Sequence, residues 1–284
     1  MTVQRLPTTS GDVSALPRTR YAELRPLLAD PAVSCFAEAR IFPPEPRWED
    51  ESPHVLGVER AGVVSSAVLL GANLVPIGTD APARASLANA LVAMGRRCSS
   101  IVGPAEEVLP LWELLRPAWG PAREVRSEQP LLALRGAPAI APDENVVPVP
   151  PDRLDDYLPA SIAMFTEEVG VDPRSGGLGQ LYRDRVGDLL RAKRAFARWD
   201  GDRVAFKAEL GAVTHRAVQI QGVWVDPERR GQGLAAPGMA AVVRHSQAVA
   251  PLVTLYVNAY NTAALATYRS AGFSQVGTFA TVLF

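Results

Sequence analysis

The chain has 284 residues, 48% of them apolar and 21% charged, with a formal net charge of −1. That length gives room for two modest domains or one large one, and the composition fits a folded protein with a core. The absence of a basic excess argues against general attraction to nucleic acid or to an anionic membrane surface.

Residues 1–20 lack the apolar stretch of a secretory signal, and no uncharged apolar run in the chain reaches the roughly 20 residues that cross a bilayer. Phe42-Pro43-Pro44-Glu45-Pro46 is an extended stretch that proline keeps from being helical. A hairpin is predicted over 55–59 and 63–70 around Arg60-Ala61-Gly62. A strand at 73–77, a helix at 83–94, a strand at 99–102, a helix at 108–115 and a strand at 130–134 follow. Cys35 and Cys98 are far apart and lack the spacing of metal ligands, so they read as reduced, buried thiols of a cytoplasmic protein. The segment 136–151, GAPAIAPDENVVPVPP, has repeated proline and no helical period, and reads as a linker that becomes a strand at 145–149. The chain therefore divides near residue 140, into domains 1–140 and 141–284.

Helical periodicity returns at 154–169 and 178–192, interrupted by Asp172-Pro173-Arg174-Ser175-Gly176-Gly177. A second hairpin, 195–199 with 203–210, turns at Asp200-Gly201-Asp202. A strand at 218–225 is stopped by Asp226-Pro227-Glu228. A helix at 234–248, an apolar strand at 252–257, a helix at 262–270 and one or two strands over 273–284 complete the chain. The first half echoes this order, and SSIVGPAEEVLPLWELLRPAWG lies loosely parallel to TLYVNAYNTAALATYRSAGF. It reads either as a degenerate internal copy or as an unrelated α/β domain.

The chemistry concentrates after the strand at 218–225, where a glycine-containing loop opens directly into a helix. Such a loop turns backbone N–H groups inward, and the helix N-terminus adds partial positive charge, which together make a site for a diphosphate. Gly231 and Gly233 allow phosphate to approach the backbone, and Arg230 can add a charge-assisted contact. The fingerprints of the Rossmann and P-loop sites, which use the same physics, are both missing.

Arg230-Gly231-Gln232-Gly233-Leu234-Ala235 fits R/Q-x-x-G-x-G/A, and one helix and one strand later come Leu255-Tyr256-Val257-Asn258, Asn261, Ala264, Tyr268 and Gly272-Phe273. This combination resembles the GNAT (Gcn5-related N-acetyltransferase) superfamily over about residues 145 to 284. The resemblance implies an α/β (α+β) fold with a central mixed, mostly antiparallel sheet flanked by helices, preceded here by a smaller α/β domain. It implies an N-acetyltransferase that moves an acetyl group from acetyl-CoA to a primary amine without a metal. The alternative is a non-catalytic acyl-CoA-binding regulatory or sensor protein. In the resemblance Val223, Trp224 and Val225 pair with the pantetheine arm, and Arg230, Gly231, Gln232, Gly233, Leu234 and Ala235 hold the diphosphate. Asn258 and Asn261 fix the arm and the next helix, either residue being a plain helix cap in the alternative reading. Tyr268 matches the tyrosine that gives a proton to the departing thiolate.

An alkylamine, with a pKa near 10.4, must lose a proton before it attacks, so a base or a water chain is expected beside it. Charge gathering on the thioester oxygen would be met by a backbone N–H near Val225. The sequence departs from the best-known members at the base: Gln219 fills the position of their glutamate, with Gln221 beyond it. Glu209 on the preceding strand is the nearest carboxylate candidate; Glu167, Glu168 and the C-terminal carboxylate of Phe284 are others. Trp224 is either core or a wall of the acceptor pocket. His215 and His245 are expected to be exposed, and His54 belongs to the first half. Expected partners are an amine-bearing small molecule or a peptide or protein amine, and a second copy in a homodimer, with no nucleic acid and no membrane.

Overall fold

The computed structural model describes residues 12–43 and 54–284, so Pro44, Glu45 and Pro46 of the proline stretch lie outside the described residues. Two compact units emerge. One takes the chain up to Leu131 together with Val276–Phe284, and the other is Leu132–Gln275. Relative to a division at residue 140, the stretch 132–140 falls in the second unit and the chain's last nine residues, 276–284, in the first.

In the first unit, β1 (Asp12–Ala15) is followed by a 3-10 segment, Arg18–Leu28, and by α1 (Pro31–Ile41). Then come β2 (His54–Arg60), β3 (Val63–Leu70), β4 (Asn73–Ile77), α2 (Ala81–Met94), β5 (Ser100–Pro104), α3 (Ala105–Trp119) and β6 (Glu124–Arg135). The β2–β3 hairpin turns through Ala61 and Gly62 at φ 52 and 77, the paired left-handed conformations that match strand twist in a two-residue turn. β1 through β4 pair antiparallel in order, and β4 then pairs parallel with β5. The other edge of β5 is taken by the chain's last strand, β12 (Ser274–Leu283), antiparallel, with Phe279 opposite Pro104 and Leu283 opposite Ser100. Ala280 and Val282 of that strand join Leu87, Leu91, Ile101, Leu111 and Leu115 in the core of this unit.

The second unit runs β7 (Val147–Pro148), α4 (Leu154–Val169), α5 (Gly179–Arg191), β8 (Ala195–Asp200), β9 (Arg203–Val213), β10 (Ala217–Val225), α6 (Ala235–Gln247), β11 (Leu252–Tyr256) and α7 (Thr262–Ala271). β7 to β10 pair antiparallel, β10 pairs parallel with β11, and the end of β6 lies beside β11. Alternation along β9 sends Phe206, Ala208 and Leu210 into one core with Met239, Val242 and Leu265 from α6 and α7. The opposite face carries Lys207 and Glu209 beneath α4, where Tyr157, Met164 and Trp224 pack with Val186 and Leu190 of α5. Gly238 lets α6 settle onto the sheet, since a Cβ there would stand 2.9 Å from the Phe206 ring.

The two halves of the chain repeat one order: hairpin, strand, helix, parallel strand, helix, strand. The structure adds β1, the 3-10 segment and α1, which periodicity did not indicate, and shortens the strand expected at 145–149 to Val147–Pro148.

Candidate active site

The site forms where two parallel strands part. β10 and β11 pair only from Ala217/Leu252 to Gln219/Thr254, although β10 continues to Val225 and β11 to Tyr256. On its other side β10 carries a bulge. Gln221 lies opposite Glu209 and Trp224 opposite Lys207, so Gly222 and Val223 together face the single residue Ala208. Gly222 sits at φ 57, in the left-handed region.

Beyond Val225 the chain makes a 3-10 turn, Pro227–Arg229, capped by the Asp226 carboxylate, which accepts from the Glu228 N–H at 3.0 Å. Gly231 and Gly233 both lie at φ 75, with nothing within 4 Å of a Cβ built on either. The cradle is therefore open on the side a side chain would fill. α6 then begins with no side-chain cap at Leu234, leaving its first amides for a ligand or water. The loop thus fits the diphosphate the sequence suggests. Arg230 is half exposed; its Nε donates to the Val225 carbonyl at 3.1 Å and a terminal nitrogen pairs with Glu167 at 2.6 Å. Gln232 donates to the Glu228 carbonyl at 3.2 Å. Val223 and Val225 pack against the α6 face, whereas Trp224 is 9% exposed in the α4 face and donates from its indole to Glu167 at 3.1 Å.

Of the residues expected around the start of α7, Asn261 caps the helix, its side chain accepting from the Ala264 N–H at 3.1 Å. Asn258 donates to the Tyr260 hydroxyl at 2.8 Å. Tyr268 is 7% exposed and packs edge-on against Phe273. Burial, and secondarily the Glu168 carboxylate, raise its phenol pKa above the ordinary value near 10, so the group holds its proton at neutral pH.

The carboxylate candidates separate. Glu209 is buried; its Oε1 is 2.6 Å from the Lys207 ammonium and accepts from the Tyr157 hydroxyl at 3.2 Å. Lys207, with no exposed side-chain surface, also donates to the Gly222 carbonyl at 3.2 Å. Burial, then the Glu209 carboxylate, push the Tyr157 phenol well above its usual value. Gln219 is buried with its amide nitrogen unpartnered, and Gln221 folds over Gly211, where a Cβ would meet its Oε1 at 2.2 Å. Phe284 belongs to the first unit, its ring packed edge-on against Trp112 and Trp119. His215 is exposed, but His245 is only half-exposed, because its ring stacks on Phe196 at 4.9 Å and reaches the Val146 carbonyl. Cys35 and Cys98 are buried and not joined in a disulfide, and burial pushes the Cys35 thiol up to about 12. Among the described residues no cluster of His, Cys, Asp and Glu has the makings of a metal site, and no helix is long and apolar enough to cross a membrane.

The first unit repeats the parting of strands, since β4 and β5 pair only at Asn73/Ser100 and Leu74/Ile101. The equivalent helix entry is filled from within. Asp80 caps α2 by accepting from the Ala83 N–H at 2.9 Å and pairs with Arg60. Glu107 takes both the Thr79 N–H, at 2.7 Å, and its hydroxyl, at 2.8 Å. The Arg60 guanidinium, with the Ala83 N–H, holds the Asp80 carboxyl down to about 2. Two fixed carboxylates occupy what the second unit leaves open.

Residues 162–273 match the model of the Acetyltransferase (GNAT) family, and residues 53–157 match a Domain of unknown function (DUF4081). No curated protein matches the chain. A GCN5-related N-acetyltransferase from Sphaerobacter thermophilus superposes with a TM-score of 0.58 at 16% identity, over 98% of this chain and 97% of its own. A GNAT-family acetyltransferase from Colwellia psychrerythraea gives 0.55 at 12% identity, over 96% and 99%. A tandem GNAT protein from the clavulanic acid biosynthesis pathway gives 0.50 at 16% identity, over 96% and 98%. At these identities the likeness is one of fold, and it extends over nearly the whole chain. Residues 162–273 are thus the part of the chain that matches the GNAT acetyltransferase family, and acyl transfer from acyl-CoA is what that match implies.

Proposed function

We propose that the second unit transfers an acetyl group from acetyl-CoA to a primary amine by direct attack on the thioester. The observation that carries this reading is the parting of β10 from β11 beside an uncapped helix entry held open by left-handed Gly231 and Gly233. In it Arg230, Gly231, Gln232, Gly233, Leu234 and Ala235 hold the diphosphate, and Val223, Trp224 and Val225 offer backbone to the pantetheine arm as an added strand would. Asn258 and Asn261 bracket the turn into α7. The bound thioester supplies an activated acyl group. Tyr268, kept protonated by burial, donates to the departing sulfur. Glu209, whose Oε2 would stand 3.3 Å from a Cβ at Gly222 on the bulge, is the carboxylate proposed to take the amine proton, directly or through water. Glu167 and Glu168 at the end of α4 favour a cationic acceptor, whether a small molecule or a peptide or protein amine. Two buried cysteines outside any disulfide support a reducing, cytoplasmic setting.

A second reading, an acyl-CoA sensor without turnover, is favoured by Gln219 in place of a carboxylate and by the engagement of Glu209 with Lys207. Incubation with acetyl-CoA and a panel of amines, following free thiol, separates them. Release that Tyr268→Phe depresses supports the enzyme; tight binding of CoA with no amine consumed supports the sensor.

A further inference from the structure

The Arg230 guanidinium is already engaged by the protein. A terminal nitrogen pairs with Glu167 at 2.6 Å, and Nε donates to the Val225 carbonyl at 3.1 Å. Glu167, near the end of α4, is anchored from the other side. Its second oxygen accepts from the Trp224 indole at 3.1 Å, and that ring is buried on the sheet. One carboxylate thus ties α4 both to the strand beside the fork and to the loop that opens α6.

Both contacts of Arg230 conflict with a bound cofactor. A diphosphate at the loop needs the guanidinium that Glu167 holds, and a pantetheine arm along 223–225 meets a Val225 carbonyl already taken by Nε. Carboxylate and phosphate are bound through the same planar fork of donors, so they compete for it. The exchange costs little, because the Arg230 and Glu167 side chains are 50% and 46% exposed and neither charge is stranded when the pair opens. The buried Lys207–Glu209 pair has no such freedom. Glu167 need not follow the guanidinium, since Trp224 retains one of its oxygens.

We propose that Glu167 sets the affinity for CoA through Arg230: in the empty site its carboxylate stands in for the diphosphate, and the cofactor must draw the guanidinium away from it. This rests on the acetyl-CoA reading above and deepens it. Glu167 is a positioning residue, touching neither the cofactor nor the reacting atoms, and its effect passes through the arginine it holds.

Calorimetry with CoA on the full chain compares the native protein, Glu167→Gln, Arg230→Met and the double variant. Glu167→Gln is expected to tighten CoA about threefold to fivefold, the size an exposed ion pair allows. A contact that serves structure alone would leave affinity unchanged or lower it, and either result overturns the proposal. Removing a carboxylate near an anion also raises affinity through space, so the double variant decides between the two causes. The gain from Glu167→Gln is expected to vanish on Arg230→Met, and an equal gain in both backgrounds overturns the proposal. If Arg230→Met binds too weakly to measure, the arginine side-chain 15N spectrum decides. Glu167→Gln is then expected to move the Arg230 Nε resonance in the free chain and to leave it in place in the CoA complex, and a shift in both states overturns the proposal. A native chain that binds no CoA is a different result, since it removes the cofactor reading itself.

Discussion

The Lys207 ammonium and the Glu209 carboxylate meet at 2.6 Å, two residues apart on one face of β9, and α4 closes over both. They link a core to a site: Tyr157 of α4 donates to the carboxylate, and the bulged peptide of β10 accepts from the ammonium.

Breaking that pair on one side leaves a buried charge without its partner. Lys207→Ala is expected to cost about 3–5 kcal/mol in urea unfolding, whereas Lys207→Met with Glu209→Leu is expected to be neutral or stabilising by up to about 4 kcal/mol. If the single and double variants lose equal stability, the pair is not coupled as described.

Gly231→Ala is expected to weaken CoA binding about tenfold or more, because a Cβ enters the open side of the loop. It also forces an alanine to φ 75, at about 1–2 kcal/mol. Titration calorimetry with CoA reads the first effect and a melting curve the second. Unchanged affinity places the diphosphate elsewhere.

Several tyrosines tie stability to alkaline pH. Burial raises the pKa values of Tyr157 and Tyr268 above 10, so the fold favours their neutral forms. With folded values above unfolded ones, this contribution is complete below about pH 10 and is lost as pH rises beyond it, at up to about 1.4 kcal/mol per unit for each group. Urea midpoints are expected to stay flat from pH 8 to 9.5 and to fall from 10 to 11.5. A midpoint that holds through pH 11.5 contradicts the assignment.

Removing Val276–Phe284 is expected to damage the first unit, since those residues pair with β5 and supply Ala280 and Val282 to its core. Hydrogen exchange at Ser100–Pro104 should lose protection, while α6 should keep its own. Loss confined to β11 and α6 would place the strand's partner in the wrong unit.

Much of this was legible in the sequence where the signals are local. The helix over 154–169 was bounded by its 3.6 period and the breaker 172–177, the structure ending it at the left-handed Gly170, and both hairpins were set by their turn residues. α1 was missed because Ala32, Ser34, Cys35, Ala37, Glu38, Ala39 and Ile41 are buried around most of its circumference, leaving no polar face to give a period. The strand over 274–283 was expected, but its partner is a long-range choice that alternation cannot state. Gly231, Gly233 and Tyr268 stood out through spacing. Lys207 did not, because Phe206-Lys207-Ala208-Glu209 reads as a strand with one face in water, and only the packing of α4 buries it.

Titration calorimetry of the full chain with CoA weighs the central claim most directly. One saturable site per chain is expected, lost on altering the Gly231 loop and untouched by Asp80→Asn, because only the second unit leaves its helix entry free of its own carboxylates. Absence of binding, or a single site that survives disruption of residues 230 to 235, contradicts it.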